Sequence, residues 1–122
     1  MKNVILASVL AVTAVTTIDA NAAGSTAFCT GGAVAADAAS SAASGGSDSF
    51  IKVGFRPKCS ANVYLRGNDE NSLLFRIGAA SGKGKSNFGG SSAGGAVSRV
   101  GDCTGVCDGD DASAGMNAAP SS

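Results

Sequence analysis

The stretch Ala61–Gly78, ANVYLRGNDENSLLFRIG, decides the fold, because it holds the clearest structural pattern in the chain. Large apolar residues recur at every second position on either side of a polar centre: Val63 and Leu65 precede it, and Phe75 and Ile77 follow it. Alternation with a period of two, carried by β-branched and aromatic residues, is typical of half-buried strands. The stretch therefore predicts two strands, each with one apolar face.

The polar centre, Gly67–Asn71, has the length and composition of a hairpin turn. If these five residues are looped out, Leu65 lies opposite Leu73 and Val63 lies opposite Phe75. A slip of one residue would move one set of apolar side chains to the other face. This matching of apolar pairs predicts a hairpin and its register.

Outside the hairpin, the strand pattern continues with less force. Residues 50–56 alternate through Ile51, Val53 and Phe55, and weaker strands are predicted at residues 26–30 and 96–100. Residues 33–44 are rich in Ala but lack an apolar stripe, which predicts a loop or a marginal helix. The expected fold class is mainly β: a small antiparallel, sandwich-like domain with long Gly/Ser/Ala-rich loops and flexible tails.

The first 22 residues have the pattern of a secretory signal peptide. Lys2 is followed by an uncharged run of apolar and small residues, Val4–Ile18, and then by the cleavage pattern Ala20-Asn21-Ala22. A membrane anchor is the alternative, but a spanning helix needs about 20 apolar residues. We therefore predict cleavage after Ala22 and export of the remaining chain.

The chain left after cleavage has a small core. Eleven of its 18 Val, Ile, Leu, Met, Phe and Tyr residues fall between Phe50 and Ile77. Ala, Gly and Ser, with 23, 18 and 17 residues, dominate the rest of the 122-residue sequence. Such segments bury too little apolar area to offset the entropy of ordering them. We expect one β domain over residues 23–111, with its core at 50–78, and a flexible tail over residues 112–122.

The sequence has four cysteines, Cys29, Cys59, Cys103 and Cys107. An even number in a small exported chain predicts two disulfides. Three connectivities are open, and we favour Cys29 with Cys59 and Cys103 with Cys107. The C-x₃-C spacing of the second pair differs from the C-x-x-C of thiol oxidoreductases. A zinc site built from four cysteines would need two pairs at this spacing, and only Cys103 and Cys107 have it. Redox and zinc sites are therefore the weaker alternatives.

Catalysis has little support in the sequence. The chain has no His, which excludes Ser-His-Asp and Cys-His catalytic sets. Residues 79–86, AASGKGKS, match a relaxed phosphate-loop pattern, but the Gly- and Ser-rich residues 87–92 do not predict the helix that this motif requires. We expect a mobile basic loop there, a protein that is not an enzyme, and no cofactor.

The charges are unevenly distributed. Nine cations balance nine anions overall, yet residues 52–99 hold eight cations and only Asp69 and Glu70 as anions. Predicted strand faces interleave some of these cations with aromatic rings, as in proteins that bind single-stranded nucleic acid or other anionic polymers. An ordinary solvent-facing side of the sheet is the alternative. The candidate binding residues are Lys52, Arg56, Tyr64, Arg66 and Arg76.

A second candidate site is acidic. Asp108, Asp110 and Asp111 follow the last cysteine and offer the oxygen ligands that Ca²⁺ prefers. They lack the spacing and the later Glu of an EF-hand loop. A solvated acidic loop is therefore the default, and the three residues form a weak Ca²⁺ candidate.

The chain is similar in overall composition to small Ala/Gly/Ser-rich exported proteins of Gram-negative bacteria. The sequence then predicts a non-enzymatic structural or interaction protein of the bacterial periplasm or cell surface. Two alternatives remain: a module that binds an acidic glycan, lipopolysaccharide or nucleic acid through a basic sheet face, and a Ca²⁺-dependent surface protein. Its partner is unknown from the sequence, and the candidates are a second copy of the chain or a surface polymer.

Overall fold

The computed structural model of the protein describes residues 25–42 and 44–122. The predicted signal peptide, residues 1–22, lies outside the described residues. Within the described part of the chain, no helix is both long and apolar enough to cross a membrane.

Five antiparallel strands form the main sheet, in the order β1-β4-β5-β6-β7, and β2 and β3 form a separate two-stranded sheet. One α-helix follows the last strand. The expected fold class, mainly β and antiparallel with two disulfides, is confirmed. The elements are β1 (Thr26–Thr30), β2 (Ala36–Asp37), a 3₁₀ turn (Gly46–Asp48), β3 (Lys58–Cys59), β4 (Val63–Asn71), β5 (Leu74–Ser81), β6 (Ser86–Ser91), β7 (Ser98–Asp102) and α1 (Gly109–Ala118).

The predicted hairpin exists as β4 and β5, but its register was wrong. Leu65 lies opposite Ala79 rather than Leu73, so the pairing differs from the predicted one by six residues. The polar residues assigned to the turn belong to β4, and the chain reverses at Ser72 and Leu73. Because the difference is an even number, the alternating side chains keep their shared face.

The hairpin reverses directly after Asn71, which was the last residue of the predicted turn. At the reversal, the side-chain oxygen of Asn71 accepts hydrogen bonds from the backbone N–H groups of Leu73 and Leu74, at 2.9 and 3.1 Å. This local capping is a common role of Asn in turns. Two-residue periodicity identified the hairpin, whereas side-chain hydrogen bonding determined where it turns.

The predicted strand over residues 50–56 was also wrong, since only Phe55 forms a bridge, with Ala42. Asp69 on β4 holds the start of this segment instead. Its carboxylate accepts hydrogen bonds from the backbone N–H of Phe50 at 2.8 Å, the N–H of Ile51 at 3.1 Å and the hydroxyl of Ser49. Burial alone would raise the pKa of Asp69, but these hydrogen bonds outweigh it and the pKa is lowered.

The flexible tail expected over residues 112–122 was wrong for residues 112–118, because these belong to helix α1 (Gly109–Ala118). Ala112, Met116 and Ala119 are buried. The tail was predicted because its side chains are small and bury little area. In the structure, the helix packs very closely on the sheet, which buries these small side chains despite their size.

The main sheet is covered on both sides. On one side, here called the helix face, Ala80 is buried in a cluster with Ala112 of α1 and Cys107. On the other side, called the loop face, Leu65 and Phe75 pack against buried residues of β1 and of the segment between β1 and β4. That buried cluster consists of Phe28, Cys29, Ala38, Ala42 and Ile51.

Three glycines bring α1 into contact with the sheet backbone. A Cβ atom at Gly78 would overlap the carbonyl oxygen of Ala112 and would stand 2.8 Å from the Cβ of Met116. A Cβ at Gly89 would overlap the carbonyl oxygen of Gly115, and one at Gly115 would overlap that of Phe88. These positions therefore require glycine for close backbone approach rather than for an unusual φ.

Both predicted disulfides are present with the favoured connectivity. Cys29 on β1 bonds to Cys59 on β3, which ties the loop-face cover to the sheet. Cys103 bonds to Cys107 just before α1, and Cys107 is fully buried against the helix face. No cysteine is free. Such pairs are typical of proteins in an oxidising compartment.

Candidate functional site

A cleft of about 280 Å³ opens on the helix face between β1, β4 and the start of α1. It brings together residues from both sites that the sequence predicted, the anionic-polymer set and the Ca²⁺ set. Its lining residues are Ala27, Cys29, Thr30, Tyr64, Arg66, Asp108, Gly109 and Asp110.

Arg66 supplies the cationic group of this cleft. Its guanidinium lies beside α1, with Nη2 3.2 Å from where a Cβ of Gly109 would stand. Among the described residues, no carboxylate lies within ion-pair distance of Arg66. With Asp108 and Asp110 in the same lining, the cleft has mixed charge. It therefore does not have the single-sign character that concentrates a charged polymer.

Two of the three carboxylates in the Ca²⁺ candidate cap α1. The Asp108 carboxylate accepts hydrogen bonds from the backbone N–H of Asp110 at 2.9 Å and of Asp111 at 3.3 Å. In return, the Asp111 carboxylate accepts the backbone N–H of Asp108 at 3.0 Å. This reciprocal arrangement is a capping box, and acidic groups there also complement the helix dipole. Calcium binding stays a prediction, and the contacts seen are those of a helix start.

Cys103, Cys107 and Asp111 place three potential ligand atoms within 4.8 Å of one another. The two sulfur atoms are bonded to each other. Metal binding by cysteine requires the thiolate, which a disulfide does not offer. The disulfide and the Asp111 capping contact thus both lie at the N-terminus of α1 and stabilise it there.

Three of the five predicted anionic-polymer residues, Tyr64, Arg66 and Arg76, lie on the helix face, and the other two do not. Lys52 and Arg56 lie outside the sheet, because the segment that carries them is not a strand, and the Lys52 ammonium donates to the carbonyl oxygens of Gly46 and Ser47. Of the set, only Tyr64 and Arg66 meet, in the cleft. Polymer binding therefore remains a prediction, and this arrangement gives it little support.

Arg76 has a structural position instead. Its guanidinium pairs with Glu70 across the hairpin and donates to the carbonyl oxygen of Asn117 at 3.1 Å. The side chains of Arg76 and Glu70 are only 18% and 22% exposed. The contact links β4 and β5 to the last turn of α1, where a cation also complements the helix dipole.

Three of the nine exposed large apolar side chains lie on or next to the last two strands. Phe88 on β6, Val97 just before β7 and Val100 on β7 are 42%, 66% and 40% exposed. We call these three residues together with β7 the β7 surface. The paired positions place Phe88 on the loop face, while Val100 lies against Gly89 on the helix face. The apolar surface therefore flanks β7 on both sides of the sheet.

The two edges of the main sheet differ. At the β1 edge, the carbonyl oxygen of Phe28 accepts the backbone N–H of Ala39, and the Cys29–Cys59 disulfide ties a covering segment to the strand. At the other end of the sheet, β7 pairs with β6 and with no further described strand. The outer edge of β7 thus leaves backbone groups available for pairing with another chain.

Comparisons with known proteins give no family: no family model, no curated protein and no solved structure matches this chain.

The sequence had signalled β7 only as a weak strand near residues 96–100. Its place at an open edge depends on the order of strands in the sheet, which periodicity within one segment does not reveal.

Proposed function

We propose that this chain is an exported, non-enzymatic interaction protein of the bacterial periplasm or cell surface, and that the β7 surface is its contact site. The observation that carries the proposal is the exposure of its apolar residues. Of the 18 large apolar residues that follow Ala22, nine are exposed. A chain with so thin a core loses stabilisation by leaving half of them in water. Three of these nine, Phe88, Val97 and Val100, lie at the open edge of the main sheet, and apolar residues grouped at an exposed strand edge are typical of interaction sites.

Three further features support the proposal. The sequence carries a signal-peptide pattern, and all four cysteines form disulfides, as expected in an oxidising compartment. The chain also has no His to act as a general base near neutral pH.

Export is tested by fractionating the cells that make the protein and measuring its intact mass without reduction. We expect an exported or surface fraction to contain a chain that begins at Ala23 and has no free thiol. The same cells producing a full-length, reduced chain in the cytoplasm would contradict the proposal.

A further inference from the structure

The outer edge of β7 and the charges on it favour pairing with an identical strand. We propose that β7 pairs edge to edge, in antiparallel orientation, with β7 of a second copy of this chain. The five-stranded sheet then continues into a ten-stranded sheet across the two copies. This inference rests on the proposed function and deepens it by naming the partner.

The main chain of β7 is suited to such pairing. The strand spans five residues, Ser98–Asp102, and its inner edge is hydrogen-bonded to β6, with one register shift that leaves Val100 without a paired residue and puts Arg99 and Asp102 on the same side. An open edge of this kind is a template for a further strand, whose main-chain hydrogen bonds supply affinity. The opposite edge of the main sheet is covered at Phe28, so β7 is the open edge of that sheet among the described strands.

The charges of β7 favour an antiparallel second copy. Arg99 and Asp102 form an ion pair at 2.5 Å, and both side chains contact the hydroxyl of Ser86, which places them on one side of the sheet. Antiparallel alignment of two β7 strands brings Arg99 of each copy toward Asp102 of the other. Parallel alignment would instead bring like charges together. The edge thus attracts its own antiparallel copy, whereas protected edges often carry charges, especially Lys, that prevent pairing.

Apolar side chains widen the contact beyond the strand. A stable interface buries about 800 Å² on each partner, and a five-residue edge alone supplies less. Val97 and Phe88 extend the surface on the loop face, and Val100 extends it on the helix face. Gly90 leaves space for Val97, since a Cβ there would stand 2.8 Å from the Val97 Cγ2. Three exposed apolar residues therefore lie at the open edge.

Charge reversal tests the pairing by sedimentation of the mature protein over a wide range of concentrations. We expect a dimer whose dissociation constant rises at least about tenfold in Arg99→Glu and in Asp102→Lys, because each places like charges across the interface. An equimolar mixture of the two variants should recover the dimer as a heterodimer, since one then carries two anions and the other two cations at the contact. Both residues are more than half exposed, so each variant should keep its fold.

The exposed pair Lys58 and Asp37 on the small sheet is the matched control. Lys58→Glu and Asp37→Lys make the same charge changes and should leave the dimer unaltered. A wild-type protein that is monomeric at every concentration would overturn the pairing, as would a dimer indifferent to both reversals at Arg99 and Asp102. A β7 edge occupied by a different protein would also overturn it.

Hydrogen exchange of the wild-type protein gives a second readout that needs no variant. Backbone amides of Ser98–Asp102 should exchange more slowly at high than at low protein concentration, and amides of the β2–β3 sheet should not change. Equal exchange of β7 under both conditions would overturn the pairing. An exported but monomeric protein would leave the proposed function standing, whereas reduced cytoplasmic protein would contradict that function whatever its oligomeric state.

Discussion

Replacing Gly78 with Ala is expected to lower the free energy of unfolding by about 3 kcal/mol or more. The added methyl group would overlap the carbonyl oxygen of Ala112 and crowd the backbone of Met116, so α1 must move away from the sheet. Insertion of one carbon into a packed core typically costs about 1–3 kcal/mol. A backbone neighbour cannot rotate away as a side chain can, which places this change at or above the top of that range.

Gly82→Ala is the matched control, because it makes the same change directly after β5 and outside β7. A Cβ there would meet its nearest atoms, which include the carbonyl oxygens of Asn62 and Cys107, at an ordinary 3.7 Å. Its free energy of unfolding should stay within about 0.5 kcal/mol of the wild-type value, as for most substitutions that disturb no packing. Urea denaturation measures both variants, and equal stability of Gly78→Ala and Gly82→Ala would contradict the contact between α1 and the sheet.

Removal of the Cys29–Cys59 disulfide, as Cys29→Ala with Cys59→Ala, is expected to lower the free energy of unfolding by about 3–4 kcal/mol. The bond joins residues 30 positions apart. For a loop of that length, the chain-entropy model gives a stabilisation of this size, which is lost when the bond is removed. Small domains are stable by about 5–15 kcal/mol. The double variant should therefore lose a large part of its stability, together with the packing of the loop-face cover.

The second disulfide provides the comparison. Cys103 and Cys107 are four positions apart, for which the same model gives about 2 kcal/mol. Cys103→Ala with Cys107→Ala should thus unfold at a higher urea concentration than the first double variant. The reverse order would contradict the view that Cys29–Cys59 is the principal covalent support of the fold.

Alternation of apolar residues identified β4 and β5, which depend on neighbouring residues. The even number of cysteines, together with the predicted signal peptide, predicted both disulfides. The register failed because Asn71 caps a turn beyond the polar residues expected to form it. The segment 50–56 failed because its backbone is held by Asp69, whose contact with Phe50 is not encoded in local periodicity.

Helix α1 was missed for a different reason. Its residues are small, and their burial depends on glycines that are distant in sequence, Gly78 and Gly89. The charged residues of the cleft were predicted in two separate groups. That the two groups lie in one cleft depends on the position of α1, which the sequence did not predict. Asp108 followed three residues later by Asp111 was the available signal, since it resembles the capping pattern of a helix start.

Contact through the β7 surface in the cell is the central claim, and photo-crosslinking tests it most directly. Val97, 66% exposed on the β7 surface, is replaced by a photo-reactive phenylalanine, and Val53, 80% exposed in the loop before β3, is replaced likewise as the control. After illumination of living cells, we expect a covalent adduct between two polypeptides from position 97 and none from position 53. Absence of an adduct at position 97, or equal adducts at both positions, would contradict the account.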